Sequence, residues 1–249
     1  MSCKELYAAL KTDSYKSTVN VGYKLEAIVD SDKNIIGYEC LVNLRRMSVD
    51  NAKYLFDIDF NLPFVFLNLL KRISNELGRE VNEKTELLSL LENRKLFMNI
   101  ERSCVCNRII VNEIIQFKNY LKTLHIDLII EVTEREVSVC WACREITSGL
   151  IELSNNKVNL AADDYDIYNG DFRVSELHIY NYVKIEMPTN EDEYHKLTSF
   201  LKVYKNKVNI ILERIESQEE FNRICSKGIT ANLKGYQGFT FGKSLELKI

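Results

Sequence analysis

Short apolar runs of five to eight residues alternate along the chain with longer amphipathic stretches. Alternating or continuous apolar runs of this length, rich in Ile, Val and Tyr, are typical of strands, whereas apolar residues spaced three and four apart are typical of helices. The pattern predicts strands over Tyr23–Val29, Ile35–Val42, Leu96–Ile100, Leu128–Val132, Val158–Ala162, Tyr182–Met187, Val208–Ile215 and Asn232–Gly238. It predicts helices over about 57–78, 107–124, 138–154, 191–205 and 217–227.

The order of these elements indicates an α/β fold. The first two strands are joined by a polar turn over 30–34, which predicts an antiparallel hairpin. The later strands alternate with helices, which predicts parallel pairing through right-handed crossovers. Eight strands in about 250 residues match a TIM-like (β/α)8 barrel with its first strand antiparallel. A doubly wound open sheet is the alternative, but no G-x-G-x-x-G follows the first strand.

Composition favours one folded domain. The 249 residues are 46% apolar and 10% aromatic, which is too many for a disordered chain, and 2 Pro and 9 Gly form no linker. We predict an N-terminal extension over 1–19 and the barrel over 20–249. The net charge of −3 and the lack of a basic run argue against binding of duplex nucleic acid. No signal-peptide pattern and no membrane span are visible, so a cytoplasmic protein is expected.

Seven cysteines suggest reduced thiols, because an odd number without a compact framework does not indicate disulfides. Cys104 with Cys106, and Cys140 with Cys143, could together form a four-sulfur zinc site. Neither pair lies in a glycine-rich knuckle, so thiols packed as small apolar groups are the favoured interpretation.

Polar side chains recur at the ends of successive predicted strands. In a β/α barrel these ends meet on one face, where active sites lie. Carboxylate and amide oxygens in one bowl would bind Mg²⁺ or Mn²⁺, and two such ions are typical of phosphodiester hydrolysis. The residues concerned are Asn99, Glu131, Glu134, Asp163, Asp164, Lys184, Glu213 and Gln237.

Each of these residues also has a simpler explanation. A single charged residue in a strand is usually on its solvent side, and Asp163 with Asp164 could cap a helix. For Ser217 and Glu220 a capping box is the preferred interpretation. Alternation alone would scatter polar groups along the strands, whereas here they recur at the same end, and this favours a site.

Taken together, the motifs resemble the EAL domain, the family of cyclic di-GMP phosphodiesterases. Residues 37–41 read Gly-Tyr-Glu-Cys-Leu, which is similar to the family signature G-Y-E-A-L. The order and spacing of the motifs hold from about residue 20 to 245. Further similar segments are the asparagine strand at Leu96–Ile100, E-x-T-E at Glu131–Glu134, D-D-F at Asp163–Tyr165, K-I-D at Lys184–Glu186, E-G-V-E at Glu213–Glu216 and Q-G-Y at Gln237–Phe239.

The resemblance implies a mechanism with two Mg²⁺ or Mn²⁺ ions that opens cyclic di-GMP to linear pGpG. Lys184 and Glu213 would hold or deprotonate the attacking water, and Gln237 would face the same cluster. Glu134 would anchor the loop after Asp164. The implied ligands are Glu39, Asn99, Glu131 and Asp163 for one ion, with Asp163 bridging to a second ion that is joined by Asp164.

The chain departs from the family on the substrate side. Asn43 stands where the family has a phosphate-binding arginine, Glu26 begins the segment that replaces Q-P-I, and Arg214 replaces the glycine of E-G-V-E. Leu41, Asn43 and Glu26 are the expected substrate-side residues. The loop after Asp163 has lost both family glycines. The alternatives to an enzyme are an adaptor for a protein partner such as a transcription regulator, and a cyclic di-GMP receptor without turnover; a homodimer also stays open.

Overall fold

A computed structural model describes residues 22–43, 62–78, 85–134 and 144–247. The strands are β1 (Gly22–Val29), β2 (Ile35–Asn43), β3 (Lys95–Ile100), β4 (Asp127–Val132), β5 (Asn159–Ala162), β6 (Tyr182–Glu186), β7 (Asn209–Glu213), β8 (Gly235–Gln237) and β9 (Leu245–Leu247). The α-helices are α1 (Leu62–Leu77), α2 (Glu86–Leu91), α3 (Arg108–Thr123), α4 (Arg144–Asn155), α5 (Glu191–Tyr204) and α6 (Gln218–Ser226).

The strands close into a barrel through β1. Strands β2 to β8 pair with their neighbours in chain order, all parallel. β1 runs antiparallel to both β2 and β8, and so joins the two ends of the parallel sheet. β9 pairs with Tyr23–Leu25 of β1, also antiparallel. The predicted barrel with its antiparallel first strand is confirmed.

Two apolar cores hold the barrel together. A small cluster inside it comprises Ile28, Phe97, Ile129, Ala161 and Ile211, all at most 1% exposed. A larger cluster comprises the strand side chains that face the other way and the apolar faces of the helices. Because successive strand residues point to opposite faces, β1, β3, β4, β5 and β7 each contribute to both cores.

Polar side chains begin several of the helices. The Asn107 side chain accepts hydrogen bonds from the backbone at the start of α3, and Asn190 does the same for α5. Ser217 and Glu220 form the predicted capping box at the start of α6. These caps satisfy backbone N–H groups that have no partner within the helix. These three helices therefore begin within one residue of the predicted starts.

The structure differs from the sequence predictions at strand ends and in two short elements. β7 ends at Glu213 rather than at residue 215, because Arg214 has a left-handed φ of 57° that interrupts the extended backbone. β8 begins at Gly235, since residues 230–232 form a 3-10 turn. The short elements α2 and β9 were not predicted. Residues 1–19 and the predicted helical segments 57–61 and 138–143 lie outside the described residues.

Two further features of the described residues concern membrane-spanning helices and cysteine thiols. Within the described ranges, no helix combines the length and the apolar character that crossing a membrane requires. The thiol of Cys104 is buried beside the end of β3. Cys140 and Cys143 lie outside the described residues, so the choice between packed thiols and zinc stays a prediction.

Candidate metal and substrate site

Several of the polar residues singled out in the sequence form a layer of the barrel interior. Four of them lie two residues beyond a buried side chain of the small inner core; among these, Asn99 follows Phe97 and Glu131 follows Ile129. The same spacing places Glu213 beyond Ile211. Side chains two apart share a strand face. The two-residue alternation that directs an apolar side chain into the barrel therefore also directs the polar side chain inward. These polar residues lie at the end of the barrel where the parallel strands finish.

Lys184 lies at the centre of this layer and is almost completely buried. Its ammonium contacts four carboxylates. The distances from Nζ are 2.9 Å to Glu39, 2.9 Å to Glu131, 3.4 Å to Asp163 and 2.6 Å to Glu213. One positive charge among four acidic groups leaves an excess of negative charge whenever all are ionised. Such an excess is costly in a low-dielectric interior.

Glu39 has more hydrogen-bond partners than the other carboxylates. Asn99 Nδ2 donates to its Oε1 at 2.5 Å, and Gln237 Nε2 donates to its Oε2 at 2.5 Å. Both amide groups thereby turn their oxygens away from Glu39. Within the described structure, five buried oxygens in this layer have no hydrogen-bond partner: Asn99 Oδ1, Gln237 Oε1, Glu213 Oε2 and both carboxylate oxygens of Glu131, of which Oε1 lies 2.9 Å from Lys184 Nζ.

These unpartnered oxygens fit a divalent cation. Buried acceptors without donors are costly, and a bound cation satisfies them. The unpartnered atoms are all carboxylate or amide oxygens, the ligands that Mg²⁺ and Mn²⁺ prefer. The layer therefore has the chemistry of a hard-cation site.

The surroundings separate the carboxyl pKa values. Burial raises the pKa of Glu39, but the charge of Lys184 and the hydrogen bonds to the carboxylate outweigh burial and lower it to about 2. Burial raises the pKa of Glu213 to about 8 and that of Asp163 to about 6, although Lys184 opposes both shifts. Burial and the neighbouring Glu39 raise the pKa of Glu131 as well. Glu39 is thus the carboxyl group most readily ionised, and Glu213 resists ionisation until near neutral pH.

These shifts predict that the metal-free protein loses stability as the pH rises from 5 to 8. A carboxyl group with a raised folded-state pKa ionises at lower pH in the unfolded chain than in the folded protein. The free energy of unfolding therefore falls as the pH rises from the unfolded-state pKa to the folded-state pKa. A loss of about 2 kcal/mol would lower Tm by roughly 4–8 °C for a chain of this size. Thermal unfolding in a chelator at each pH measures it, and a Tm that rises over this interval would contradict the pKa order. Adding Mn²⁺ should raise Tm by more at pH 8 than at pH 5, because protons compete with the ion for the carboxylates at the lower pH.

A second acidic group adjoins the first. Carboxylate oxygens of Glu134, Asp163 and Asp164 all lie within 4.8 Å of one another. Asp164 has a φ of 42°, and burial followed by the charge of Glu134 raises its pKa. Asp163 belongs to both groups, and its role as a bridge between two ions stays a prediction. Glu134, predicted only to anchor the loop, lies among these oxygens.

A cavity of about 540 Å³ opens above the polar layer. Lys184 and Glu131 are 1% and 0% exposed and lie below the residues that line it. Its lining includes eight acidic residues and two basic ones. The acidic residues are Glu26, Glu39, Glu101, Glu134, Asp163, Asp164, Glu213 and Glu216, and the basic ones among the described residues are Lys24 and Arg214.

The three substrate-side residues expected from the sequence lie in different places. Leu41 and Glu26 line the cavity, and Lys24 Nζ lies 2.5 Å from Glu26 Oε1. Asn43 is 5% exposed and is not among the described lining residues; its Nδ2 lies 3.4 Å from Oε1 of Glu246 in β9. The structure therefore does not bring Asn43 to the cavity.

Solved structures with this architecture identify the fold. The chain superposes on the crystal structure of an EAL-domain protein from Listeria monocytogenes with a TM-score of 0.60 and 17% identity, covering 98% of this chain and 94% of that one. For the EAL domain of FimX from Xanthomonas citri, in complex with c-diGMP, the TM-score is 0.66 at 12% identity, with 97% and 94% covered. The fold is that of the EAL domain.

A third EAL-fold structure is the manganese/cy-diGMP complex of BlrP1 from Klebsiella pneumoniae. Its TM-score is 0.61 at 17% identity, and the match covers 94% of this chain and 58% of BlrP1. No protein-family model and no curated protein sequence matches the chain. The resemblance read from the sequence is thus confirmed at the level of the fold.

Two cavity residues have features that the sequence did not reveal. In the sequence, Arg214 is notable only because it replaces the glycine of the family motif. In the structure it lines the cavity, with Nη1 2.9 Å from a carboxylate oxygen of Glu186 and Nη2 3.9 Å from one of Asp164. Phe239 lines the cavity and is 65% exposed. The sequence signal that could have indicated Phe239 is an aromatic residue directly after Gln237 and Gly238, at the end of the last predicted strand.

Proposed function

We propose that the chain is a member of the EAL-domain family and hydrolyses cyclic di-GMP to linear pGpG with two divalent ions, Mg²⁺ or Mn²⁺. The observation that carries the proposal is the layer of oxygen donors around Lys184, with its unpartnered buried oxygens, directly below a cavity of ligand size. The neighbouring acidic group around Asp164 supports a second ion.

The ion ligands we propose share an inward position at one end of the barrel. Bound ions of this kind supply an activated water and neutralise charge on the phosphate. Glu39 is suited to this role because it stays ionised across the physiological pH range. The set is Glu39, Asn99, Glu131 and Asp163 for one ion, and Asp163, Asp164 and Glu134 for the other.

Glu213 and Lys184 have different proposed roles. Glu213 lines the cavity, and its Oε2 lacks a hydrogen-bond partner within the described structure, so this oxygen takes the proton of the attacking water. A pKa of about 8 suits a general base that works near neutral pH. Lys184 lies beneath it and holds the Glu213 carboxylate in place through the 2.6 Å contact. Gln237 orients Glu39 in the same way.

The rest of the cavity suits a dinucleotide with two phosphates. The acidic lining would repel a dianion, so cations at the cavity are needed to bind it. Arg214 supplies one such cation, because its guanidinium is 63% exposed and lies at the cavity edge. Phe239 offers an exposed ring on which a guanine base can stack.

A receptor without turnover is the second candidate. The observation that favours it is the position of Lys184, which already compensates the carboxylates that an ion would otherwise neutralise. Such a receptor would bind cyclic di-GMP in the absence of metal. A homodimer, a protein partner and a cytoplasmic location stay predictions from the sequence.

The two candidates are separated by turnover. Purified protein with cyclic di-GMP and Mn²⁺ or Mg²⁺ should produce pGpG, detected after chromatographic separation. Ca²⁺ should bind but support little hydrolysis, because it prefers longer bonds and more ligands than Mg²⁺. Activity in Ca²⁺ equal to that in Mg²⁺ would contradict a site that depends on geometry.

The receptor candidate predicts the opposite pair of results. Cyclic di-GMP would bind in the presence of a chelator with unchanged affinity, and no pGpG would form with any of the three ions. Calorimetry with and without the chelator measures the binding.

A further inference from the structure

Arg173 is a completely buried arginine beneath the second acidic group. It lies in a 3-10 turn, Phe172–Glu176, that follows the loop carrying Asp163 and Asp164. Its side chain is 0% exposed. A buried guanidinium is tolerated only where its charge is paired and its N–H groups are bound. The partners of this guanidinium therefore show what it does.

The partners fall into two sets. Asp171 accepts from Nε at 2.9 Å and from Nη2 at 2.7 Å, which pairs the charge and fixes the plane of the guanidinium. The other partners are backbone carbonyls of the site. Nη1 donates to Val132 at 3.0 Å, and Nη2 donates to Asp163 at 2.8 Å and to Asp164 at 3.4 Å. One planar group thus connects the end of β4 with the backbone of both aspartates.

The backbone that Arg173 holds needs support. Asp164 has a φ of 42°, a left-handed conformation that costs a residue with a Cβ roughly 1 kcal/mol or more. Hydrogen bonds to the carbonyls on either side of that φ stabilise it. The direction of both carboxylates follows from this backbone, because Asp has a short side chain with two rotatable bonds.

We infer that Arg173 is a positioning residue: it fixes the backbone of Asp163 and Asp164 and so directs their carboxylates into the cavity beside Glu134. The effect of Arg173 on ion binding rests on the proposed function, whereas its effect on the backbone does not, so the two effects are measured separately.

The chain contains a matched control. Arg102 is also buried, at 5% exposed, and its guanidinium forms a two-point ion pair with Glu176 at 2.5 and 2.8 Å. It contacts the same 3-10 turn as Arg173, but its hydrogen bonds go to side chains of Glu176 and Tyr180. Lysine keeps the charge at either position and loses the planar fork. Arg173→Lys and Arg102→Lys therefore both replace a buried guanidinium by an ammonium. Only Arg173 contacts the backbone of Asp163 and Asp164.

The first measurement is hydrogen exchange of the metal-free protein. The amides of Asp163 and Tyr165 donate to the carbonyls of Val132 and Lys184, so they report on the loop. In Arg173→Lys we expect these amides to exchange at least about tenfold faster, whereas Arg102→Lys leaves them unchanged. Asp171→Asn, which keeps Arg173 but removes the carboxylate that fixes its plane, should give a smaller effect of the same kind.

The second measurement is Mn²⁺ affinity by electron paramagnetic resonance. Residues that orient metal ligands typically contribute 10- to 100-fold, so we expect a loss of about that size in Arg173→Lys and none in Arg102→Lys. Equal exchange in the two lysine variants, or faster exchange with unchanged Mn²⁺ affinity, would overturn the inference. Wild-type protein that binds no Mn²⁺ would instead refute the metal in the proposed function, and the exchange result would still decide whether Arg173 holds the loop.

Discussion

Glu213→Gln is expected to abolish hydrolysis of cyclic di-GMP and to raise the Tm of the metal-free protein at pH 8. Loss of a general base typically costs roughly 10²- to 10⁴-fold in rate. The gain in stability has a separate cause. The folded-state pKa of Glu213 is about 8, so its ionisation in the folded protein is unfavourable above the usual pKa of a glutamate. Glutamine keeps the shape and carries no charge, so this cost disappears.

Glu39→Gln is the matched variant with the opposite effect on stability. The folded-state pKa of Glu39 is about 2, so its ionised form stabilises the fold at every pH above about 4.5, and that contribution is lost as the pH falls towards 2. We expect Glu39→Gln to lower Tm at pH 8 and to abolish hydrolysis as well. Thermal unfolding in a chelator, with pGpG formation measured in Mn²⁺, tests both variants. Equal Tm changes would contradict the different electrostatic roles of the two carboxylates.

Arg214→Gly is expected to weaken binding of cyclic di-GMP while it stabilises the fold. A hydrogen bond from a charged donor contributes about 1.5–3 kcal/mol, and solvent screening at a 63% exposed side chain reduces this to about 1–2 kcal/mol, or about a 5- to 30-fold higher KM. The kcat should change little, because a contact made equally in the ground and transition states affects KM alone. Glycine also accepts the φ of 57°, which removes roughly 1 kcal/mol of backbone strain.

Two further substitutions separate charge from backbone at this position. Asparagine tolerates a left-handed φ and carries no charge, so Arg214→Asn should raise KM almost as much as glycine does and stabilise less. Arg214→Lys keeps the charge, and should retain most of the affinity and none of the gain in Tm. Steady-state kinetics and thermal unfolding measure both quantities. A KM for Arg214→Gly equal to that of the wild type would show that the guanidinium does not contact the ligand.

The sequence predicted the candidate site well where strand periodicity determines direction. Glu131 and Glu213 each lie two residues after an apolar strand residue, so the pattern that indicates a strand also fixes the face on which the carboxylate lies. Because the parallel strands end at one rim, strand-end positions far apart in the chain meet there. No side-chain contact had to be known in advance.

The sequence did not predict side-chain contacts where the direction of the side chain depends on backbone outside helices and long strands. Asn43 lies at the end of β2 and contacts β9, a strand of three residues that is too short to show a pattern. Arg214 reaches Glu186 from a left-handed residue after β7, a conformation that its residue type does not indicate. Arg173 has partners that are mostly backbone carbonyls, which carry no signal in the sequence.

The closure of the barrel through β1 determines when during synthesis the site can form. Ile28 pairs with Gln237, about 210 residues later in the chain, so β1 has only β2 as a strand partner until the segment with β8 and β9 emerges from the ribosome. Contacts so distant in sequence form late and slowly. Until then the open edges of β1 and of the growing parallel sheet could pair with other chains, and Glu39 lacks its Gln237 partner. The protein should therefore depend on chaperones during translation more than an open sheet whose strands pair only with their neighbours in the chain.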